Sequence, residues 1–292
     1  SVEDADAGDE VEIDPCTLPA TPAGLFDMGM LADPSSLDVE IVDETEYDNG
    51  YGAILHVHEI RYTSWEWVDC LPSPIRIQGF VATPPGTPAT GATPGIVWAH
   101  GKDGSASVSM AGDAAGGTMS VVLAYSGPGQ GESEGTGSTD DHLFDTVPDP
   151  RGSWQFEHAV AAIRGLTVLA SLPEVDPAAL GRVGHSAGGI ATHIVNGVDA
   201  RLAAAMPLSA VGHMDLSAGA TPNPGWEVAI LESMTPPRGL TSPEWIAFEE
   251  WLDPARYLDT AHAPALVAHG AQDEFFTIDA TALTLLDLEA SA

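Results

Sequence analysis

The chain has 292 residues, 44% of them hydrophobic, so it is long and apolar enough to form one large core. Only 18% of the residues are charged, yet 43 acids against 9 bases give a formal net charge of −34. So large a negative charge disfavours nucleic acids and anionic lipid headgroups as partners. No run of 18 apolar residues occurs, and the sequence therefore predicts no membrane span.

The N-terminal part of the sequence differs in composition from the rest. Residues 1–36 are rich in Asp, Pro and Ala and are predicted to be an acidic extension, followed by one domain at 37–292. We expect an export signal to have been removed before Ser1, so that the protein is secreted, periplasmic or held at the cell surface. An ordinary frayed terminus is the alternative.

The two cysteines bear on the same question. In an exported protein Cys16 and Cys70 could form a disulfide that attaches the extension to the first hairpin. Two unpaired buried thiols are the alternative. No CxxC or HExxH pattern is present, so the sequence predicts no metal site.

The predicted elements change character near residue 95. Antiparallel strands come first, with an Asn49-Gly50 turn between the first two. Short apolar runs then alternate with helical patterns, which is typical of a mostly parallel sheet with helices on both faces. Residues 212–252 are expected to form a cap over the carboxyl edge of that sheet. The predicted strands are 37–42, 53–60, 75–82, 95–101, 119–125, 180–184, 203–208 and 265–270, and the predicted helices are 104–117, 153–172, 187–196 and 280–289.

The most specific chemical signal is a G-x-S-x-G pattern centred on Ser186, at a junction between a strand and a helix. A serine on such a tight turn projects its hydroxyl from the sheet, and Gly184 and Gly188 leave room for the turn. The backbone N–H of Ala187 can then point at a developing oxyanion. A glycine-rich turn with an incidental serine is the alternative.

A second loop, His100-Gly101-Lys102-Asp103-Gly104, follows the first predicted parallel strand. This loop can supply the other oxyanion donor through the backbone N–H of Lys102. A plain turn at the end of a strand is the alternative, and His100 itself is predicted to be structural.

A third loop carries the candidate acid. Asp273 follows the last predicted strand, where the acid of a Ser–acid–His triad belongs. Its carboxylate would hold the tautomer of a histidine and stabilise the imidazolium ion. Glu274 is the second choice and Asp215 a weaker third.

These motifs, together with the glycine-rich loop 126–133, resemble the α/β-hydrolase superfamily. Within it they are similar to the branch of dienelactone hydrolases, acetyl xylan esterases and prolyl-oligopeptidase-like enzymes. The resemblance covers roughly residues 75–292. It implies the α/β-hydrolase fold, Ser186 as nucleophile, Asp273 as acid, and Ala187 and Lys102 as oxyanion donors. It implies no metal and no organic cofactor.

The sequence lacks a histidine at the position where this pattern has its general base. A triad histidine should follow the acid, yet no histidine follows Asp273 in the sequence. We expect the protein to continue beyond residue 292 and the histidine to lie there. His213 is the least unsuitable substitute, because His185 is expected to point away from its neighbour Ser186. Loss of catalysis is the remaining alternative.

The sequence therefore predicts a serine esterase that cleaves small-molecule or polymeric esters through an acyl-enzyme. A prolyl-oligopeptidase-like peptidase is one alternative, although residues 1–74 are too few for a propeller. A non-catalytic binding protein on a degenerate hydrolase fold is the other. Four aromatic residues of the cap could line an acyl or sugar pocket, or could pack the cap on the sheet: Trp226, Trp245, Phe248 and Trp251.

Overall fold

The computed structural model describes residues 14–137 and 139–291. Within these residues, seven strands form one mixed sheet in the order β1-β2-β3-β5-β4-β6-β7. Their bounds are β1 (Glu40–Asp48), β2 (Ile54–Val68), β3 (Leu71–Thr83), β4 (Thr93–Ala99), β5 (Val121–Tyr125), β6 (Val175–His185) and β7 (Leu202–Leu208).

Two halves of the sheet differ in strand direction. β1, β2 and β3 form an antiparallel ribbon, and β3 pairs antiparallel with β5. The pairs β4–β5, β4–β6 and β6–β7 are all parallel. The carboxyl ends of β4 to β7 therefore share one edge of the sheet, where the loops that follow them can meet.

Helices cover both faces of the sheet, as the sequence predicts. On one face Ala111 and Ala115 pack against Leu55 and Phe80. The opposite face carries the larger core, built on the helix at 154–171 and the helix at 187–198. The α-helices are α1 (Met28–Leu31), α2 (Val108–Thr118), α3 (Thr139–His142), α4 (Trp154–Ser171), α5 (Ala187–Val198), α6 (Met214–Ala218), α7 (Trp226–Ser233), α8 (Pro243–Trp251) and α9 (Ile278–Ser291).

The central helix α4 begins where its capping residue predicts. Ser153 has extended backbone angles, and its hydroxyl accepts a hydrogen bond from the N–H of Gln155 at 3.2 Å. Every residue from Trp154 to Leu169 is buried, because α4 lies between the sheet and the N-terminal segment. None of the helices that the structure describes is long and apolar enough to cross a membrane.

The strand predicted at 265–270 is wrong as a continuous strand. Only isolated parallel bridges form, between Ala205 and Ala265 and between Leu208 and Ala268. Two backbone hydrogen bonds still join residues 265–268 to β7: the Leu266 N–H donates to the Ala205 carbonyl, and the Ala268 N–H donates to the Pro207 carbonyl. The bond from residue 207 to the Leu266 carbonyl is missing because Pro207 has no N–H.

The segment assigned to an N-terminal extension packs on the core over the residues described. Leu25, Phe26 and Leu31 are buried in the main cluster. Arg164 of α4 donates hydrogen bonds to the carbonyls of Leu31 and Asp33 at 2.9 and 2.8 Å. Residues 14–36 therefore lie against the domain, while 1–13 fall outside the described residues.

The structure places a disulfide between Cys16 and Cys70, with Cα atoms 5.1 Å apart. Cys70 lies in the turn between β2 and β3, so the attachment is to the second hairpin of the sheet and not to the first. Nearby, Arg151 Nη2 donates to the Pro15 carbonyl at 2.8 Å and holds the same end of the segment. This attachment fixes where the N-terminal segment enters the domain.

Candidate active site

Ser186 lies on a sharp turn between β6 and α5. Its backbone angles, φ 54° and ψ −119°, fall in a region that non-glycine residues rarely adopt. Two backbone bonds hold this turn: Ser186 N–H donates to the Leu208 carbonyl at 2.8 Å, and Ile190 N–H donates to the Ser186 carbonyl at 2.9 Å. The strained conformation is therefore fixed by β7 on one side and by α5 on the other.

Small residues make this turn sterically possible. A Cβ on Gly184 would lie 2.1 Å from the Gly188 carbonyl oxygen, and a Cβ on Gly188 would lie 2.5 Å from the His100 oxygen. Both contacts are with backbone, which cannot swing aside. The glycines two before and two after Ser186 are therefore required by the close approach of β6, α5 and the end of β4.

The loop after β4 lies directly against Ser186. A Cβ on Gly101 would be 3.1 Å from Ser186 Cβ, so this glycine lets the loop approach the hydroxyl. Lys102 follows immediately, and Ala187 begins α5. In residues 14–137 and 139–291, neither the Lys102 N–H nor the Ala187 N–H donates to a protein group. Both predicted oxyanion donors are therefore free to bind a substrate oxygen.

Carboxylates hold the Lys102 side chain. Its Nζ lies 2.6 Å from Asp140 Oδ1 and 3.2 Å from Asp103 Oδ2. Desolvation acts to lower the pKa of Lys102, but the hydrogen bonds to Asp140 and Asp103 outweigh it and raise that pKa. The ammonium group thus anchors the loop through two carboxylates.

His100 has a structural role, as the sequence predicts. Its Nδ1 donates to the Gly101 carbonyl at 2.5 Å, and its Nε2 accepts from the Gly127 N–H at 3.1 Å. Burial lowers the pKa of His100, although the bond to Gly101 acts in the opposite direction. A neutral ring with a fixed tautomer thus joins the loop beside Ser186 to the glycine-rich loop 126–133.

Asp273 lines the same cavity as Ser186, on the loop before α9. Its Oδ1 accepts from the N–H groups of Phe275 and Phe276 at 2.9 and 3.0 Å. These two bonds fix the carboxylate and leave Oδ2 to a histidine partner. Glu274, the second choice, lines the cavity too. Asp215, the weaker third choice, lies in the first turn of α6 and is not among the residues that line it.

Two histidines, His213 and His269, form contacts with groups other than Ser186. His213 Nε2 lies 2.7 Å from Asp287 Oδ2 of α9, so this candidate substitute is turned away from the nucleophile. His269 Nε2 is 3.9 Å from Asp273 Oδ2 but donates to the Phe276 carbonyl at 3.2 Å. No described histidine nitrogen forms a hydrogen bond with Ser186 Oγ.

The cavity above Ser186 has a volume of about 520 Å³ and brings together elements that are distant in sequence. The carboxyl end of β6 supplies His185 and Ser186, the end of β7 supplies Ser209, and the segment 272–276 closes the other side. Ser209 was not singled out by any sequence motif. Its position directly after a parallel strand is the signal that could have identified it.

The aromatic residues predicted for the cap separate into two groups. Trp245 and Phe248 are buried against Phe144 and belong to the core. Trp251 is partly buried against that same core. Trp226 packs its inner face on the core and lines a second cavity beside the first. Among the described residues, no three His, Cys, Asp or Glu side chains cluster in a way that could hold a metal ion.

Comparison with known proteins gives matches at the level of structure. No family model and no curated protein matches the chain. An acetyl xylan esterase from Paenibacillus sp. R4 superimposes with a TM-score of 0.72 at 19% identity, over 93% of this chain and 86% of that one. Acetyl xylan esterase 1 from Thermoanaerobacterium sp. JW/SL YS485 gives 0.67 at 15% identity, over 90% and 84%.

A peptidase superimposes less fully. Pyrococcus horikoshii acylaminoacyl peptidase gives a TM-score of 0.58 at 14% identity, over 86% of this chain and 43% of that one. By their names, these three proteins are two acetyl xylan esterases and a peptidase, all of them hydrolases. Together with the strand order and the turn at Ser186, the likenesses identify the fold of this chain as the α/β-hydrolase fold.

Proposed function

We propose that the chain is a serine hydrolase that cleaves carboxylic esters through an acyl-enzyme on Ser186. The observation that carries the proposal is the turn at Ser186, with two free backbone N–H groups supplied by Ala187 and by Lys102 on the loop that Gly101 brings against it. Two structures of the same fold, with TM-scores of 0.72 and 0.67, are named acetyl xylan esterases, and this supports the proposal by analogy of fold.

The proposed chemistry follows from this arrangement. Ser186 Oγ attacks the ester carbonyl, and the two N–H groups bind the oxyanion of the tetrahedral intermediate. Loss of the alcohol leaves an acyl-enzyme, which water hydrolyses to regenerate the serine. The proton of the hydroxyl must pass to a base, and in this proposal the Asp273 carboxylate, held by two backbone N–H groups, orients a histidine in that role.

Active-site labelling tests the nucleophile directly. The full-length protein should be labelled by a fluorophosphonate, and peptide mapping should find the adduct on Ser186. Ser186→Ala should abolish the label, whereas Ser209→Ala, a change in the same cavity, should keep it. Absence of labelling in a protein with an intact unfolding transition would contradict the proposal and favour the non-catalytic binding protein.

Substrate comparison separates esterase from peptidase. Hydrolysis of aryl acetates and of proline-containing amides should be measured at equal substrate concentrations, with protein that reacts with the fluorophosphonate. We expect hydrolysis of the esters at a kcat/KM at least about 100-fold above that of the amides. The reverse order would support the peptidase alternative, for which the likeness to acylaminoacyl peptidase is the favouring observation.

A secreted, periplasmic or cell-surface location is part of the proposal. The disulfide between Cys16 and Cys70 and the net charge of −34 support it, because disulfides persist in oxidising compartments. Fractionation of the native host, with immunodetection of the protein, tests it.

A further inference from the structure

A second cavity of about 450 Å³ lies next to the one above Ser186. The two cavities share Glu274 and Phe275 in their linings, so they are adjacent. We call the second cavity the Trp226 recess, and its lining includes Asn223, Gly225, Trp226, Glu232, Glu274 and Phe275.

Aromatic rings form the apolar part of the Trp226 recess. Trp226 is half-buried, with one side packed on the main core, so its position is fixed by the domain. Phe275 is 50% exposed at the boundary between the two cavities. The faces of such rings carry partial negative charge and attract cations, quaternary ammonium groups in particular.

The polar part of the Trp226 recess is acidic. Glu232 and Glu274 are exposed, and neither forms an ion pair with a basic side chain in the part of the chain that the structure describes. Arg238, the basic residue closest to Glu232 in sequence, is bound to Glu244 at 2.8 Å. No Lys or Arg lines either cavity, so the negative charge is not neutralised locally.

A third carboxyl group lies behind the wall of the recess. Glu227 follows Trp226 and is fully buried, and neither of its carboxyl oxygens has a hydrogen-bond partner in the described residues. A Cβ on Gly225 would lie 2.3 Å from Glu227 Oε2, so this carboxyl group lies against Gly225, a residue that lines the recess. Burial raises the pKa of Glu227 to about 8, and a cation in front of it would favour its ionised form.

We propose that the Trp226 recess binds a cationic group, of the quaternary or protonated amine type, carried by an ester whose carbonyl is held at Ser186. The inference rests on the proposed function and names the class of ester. Hydrolysis consumes one water and yields an acid and an alcohol, one of which carries the cation away. The net charge of −34 adds a long-range field that draws cations toward the surface and repels anionic esters.

Matched esters test the proposal. Acetylcholine and 3,3-dimethylbutyl acetate have nearly the same shape and differ in one positive charge. At low ionic strength we expect kcat/KM for acetylcholine to exceed that for the neutral ester by about tenfold or more. At 1 M NaCl the ratio should fall, because the carboxylates of the recess are exposed. Equal values at both ionic strengths would overturn the proposal.

Variants separate the recess from the general charge of the surface. Glu232→Gln removes one charge from the recess and should lower the ratio about threefold or more. Glu46→Gln removes one charge from β1 at the far edge of the sheet and should leave the ratio as it is. Trp226→Phe should keep most of the preference and Trp226→Leu should lose it. Equal effects of the two glutamine variants would mean that only the overall field acts.

A binding measurement distinguishes this inference from the proposed function. Benzyltrimethylammonium should bind the full-length protein in calorimetry, and 1 M NaCl or Glu232→Gln should weaken that binding. If no ester is cleaved but this binding is found, the proposed function fails and the cation site stands. If Ser186 is labelled by fluorophosphonate but neither the binding nor the ester preference is found, the cation site fails alone.

Discussion

His100 joins two loops of the candidate site by accepting a hydrogen bond from the Gly127 N–H through Nε2 at 3.1 Å. The same ring donates through Nδ1 to Gly101, the residue that lies against Ser186. Since the Lys102 N–H follows directly in the chain, we expect the position of this proposed oxyanion donor to depend on the buried imidazole.

Replacing His100 should therefore slow the reaction without removing its chemistry. We expect His100→Ala to lower kcat/KM by about 10- to 100-fold. Complete removal of one oxyanion donor costs about 100- to 1,000-fold, and a donor that is only displaced should cost less. His100→Asn, which can keep one of the two bonds, should recover part of the rate. Fluorophosphonate labelling rates and ester kinetics measure the effect.

The pH profile distinguishes positioning from proton transfer. If His100 only positions the loop, both variants should keep the apparent pKa values of the wild-type profile. A loss greater than about 10⁴-fold, with a changed profile, would instead identify His100 as the general base and contradict the structural role.

The glycines around Ser186 are expected to be essential for stability. Gly184→Ala would place a methyl group 2.1 Å from the Gly188 carbonyl oxygen, in a turn held by backbone on both sides. We expect the free energy of unfolding to fall by about 3 kcal/mol. Urea denaturation of the purified variant measures it, and an unchanged midpoint would contradict the close packing.

Gly117→Ala is the matched control for that experiment. Gly117 lies in α2, and a Cβ there would meet nothing within 4 Å. An alanine in a helix loses less backbone entropy on folding than a glycine does, so this variant should be more stable by about 0.5–1 kcal/mol. Opposite signs for the two substitutions would show that contact, and not the loss of glycine as such, decides the outcome.

The turn at Ser186 has a local signal in the sequence, whereas the packing of the N-terminal segment has none. The pattern around Ser186 is local, because a tight turn needs glycines at fixed spacing, and it identifies the junction of β6 and α5. The packing of residues 22–36 depends on Arg164, which is distant in sequence and holds the carbonyls of Leu31 and Asp33. No local pattern encodes such a contact, so the acidic, proline-rich composition predicts an extension and does not predict how residues 22–36 pack.

A similar limit applies to the cap aromatics. Trp226 and Trp245 both lie in the segment predicted to form the cap, and sequence alone leaves pocket lining and core packing as equal alternatives. The structure separates them, because Trp245 stacks with Phe248 in the core whereas Trp226 faces a cavity. Pro207 is the opposite case, because its effect is local. Proline has no N–H to donate, so the sequence itself predicts the missing hydrogen bond between β7 and residues 265–268.

The disulfide should make a measurable contribution to stability. Cys16 and Cys70 are separated by 54 positions, and closing a loop of that length lowers the entropy of the unfolded chain by an amount worth about 4 kcal/mol. The double variant Cys16→Ser, Cys70→Ser should unfold at a correspondingly lower urea concentration. Dithiothreitol should destabilise the wild-type protein and leave the double variant unchanged. Equal sensitivity of both proteins would contradict the bond.

Stability should depend on pH through Glu157, a fully buried carboxyl group on α4. Burial raises its pKa to about 8, against hydrogen bonds from Thr136 Oγ1 at 2.6 Å and from the Trp67 N–H at 3.2 Å, which act to lower it. The folded protein therefore keeps a proton that the unfolded chain releases near pH 4.5. The resulting stability is present below that pH and is lost as the pH rises towards 8.

Glu157→Gln tests this linkage, because the amide keeps the shape of the side chain and does not ionise. The free energy of unfolding of the wild-type protein should fall relative to that of the variant between pH 5 and about pH 8. Urea denaturation at intervals of one pH unit gives both curves. The surface acids titrate equally in the two proteins, so the difference between the curves isolates Glu157. A constant difference across this range would show that Glu157 is already ionised in the folded state.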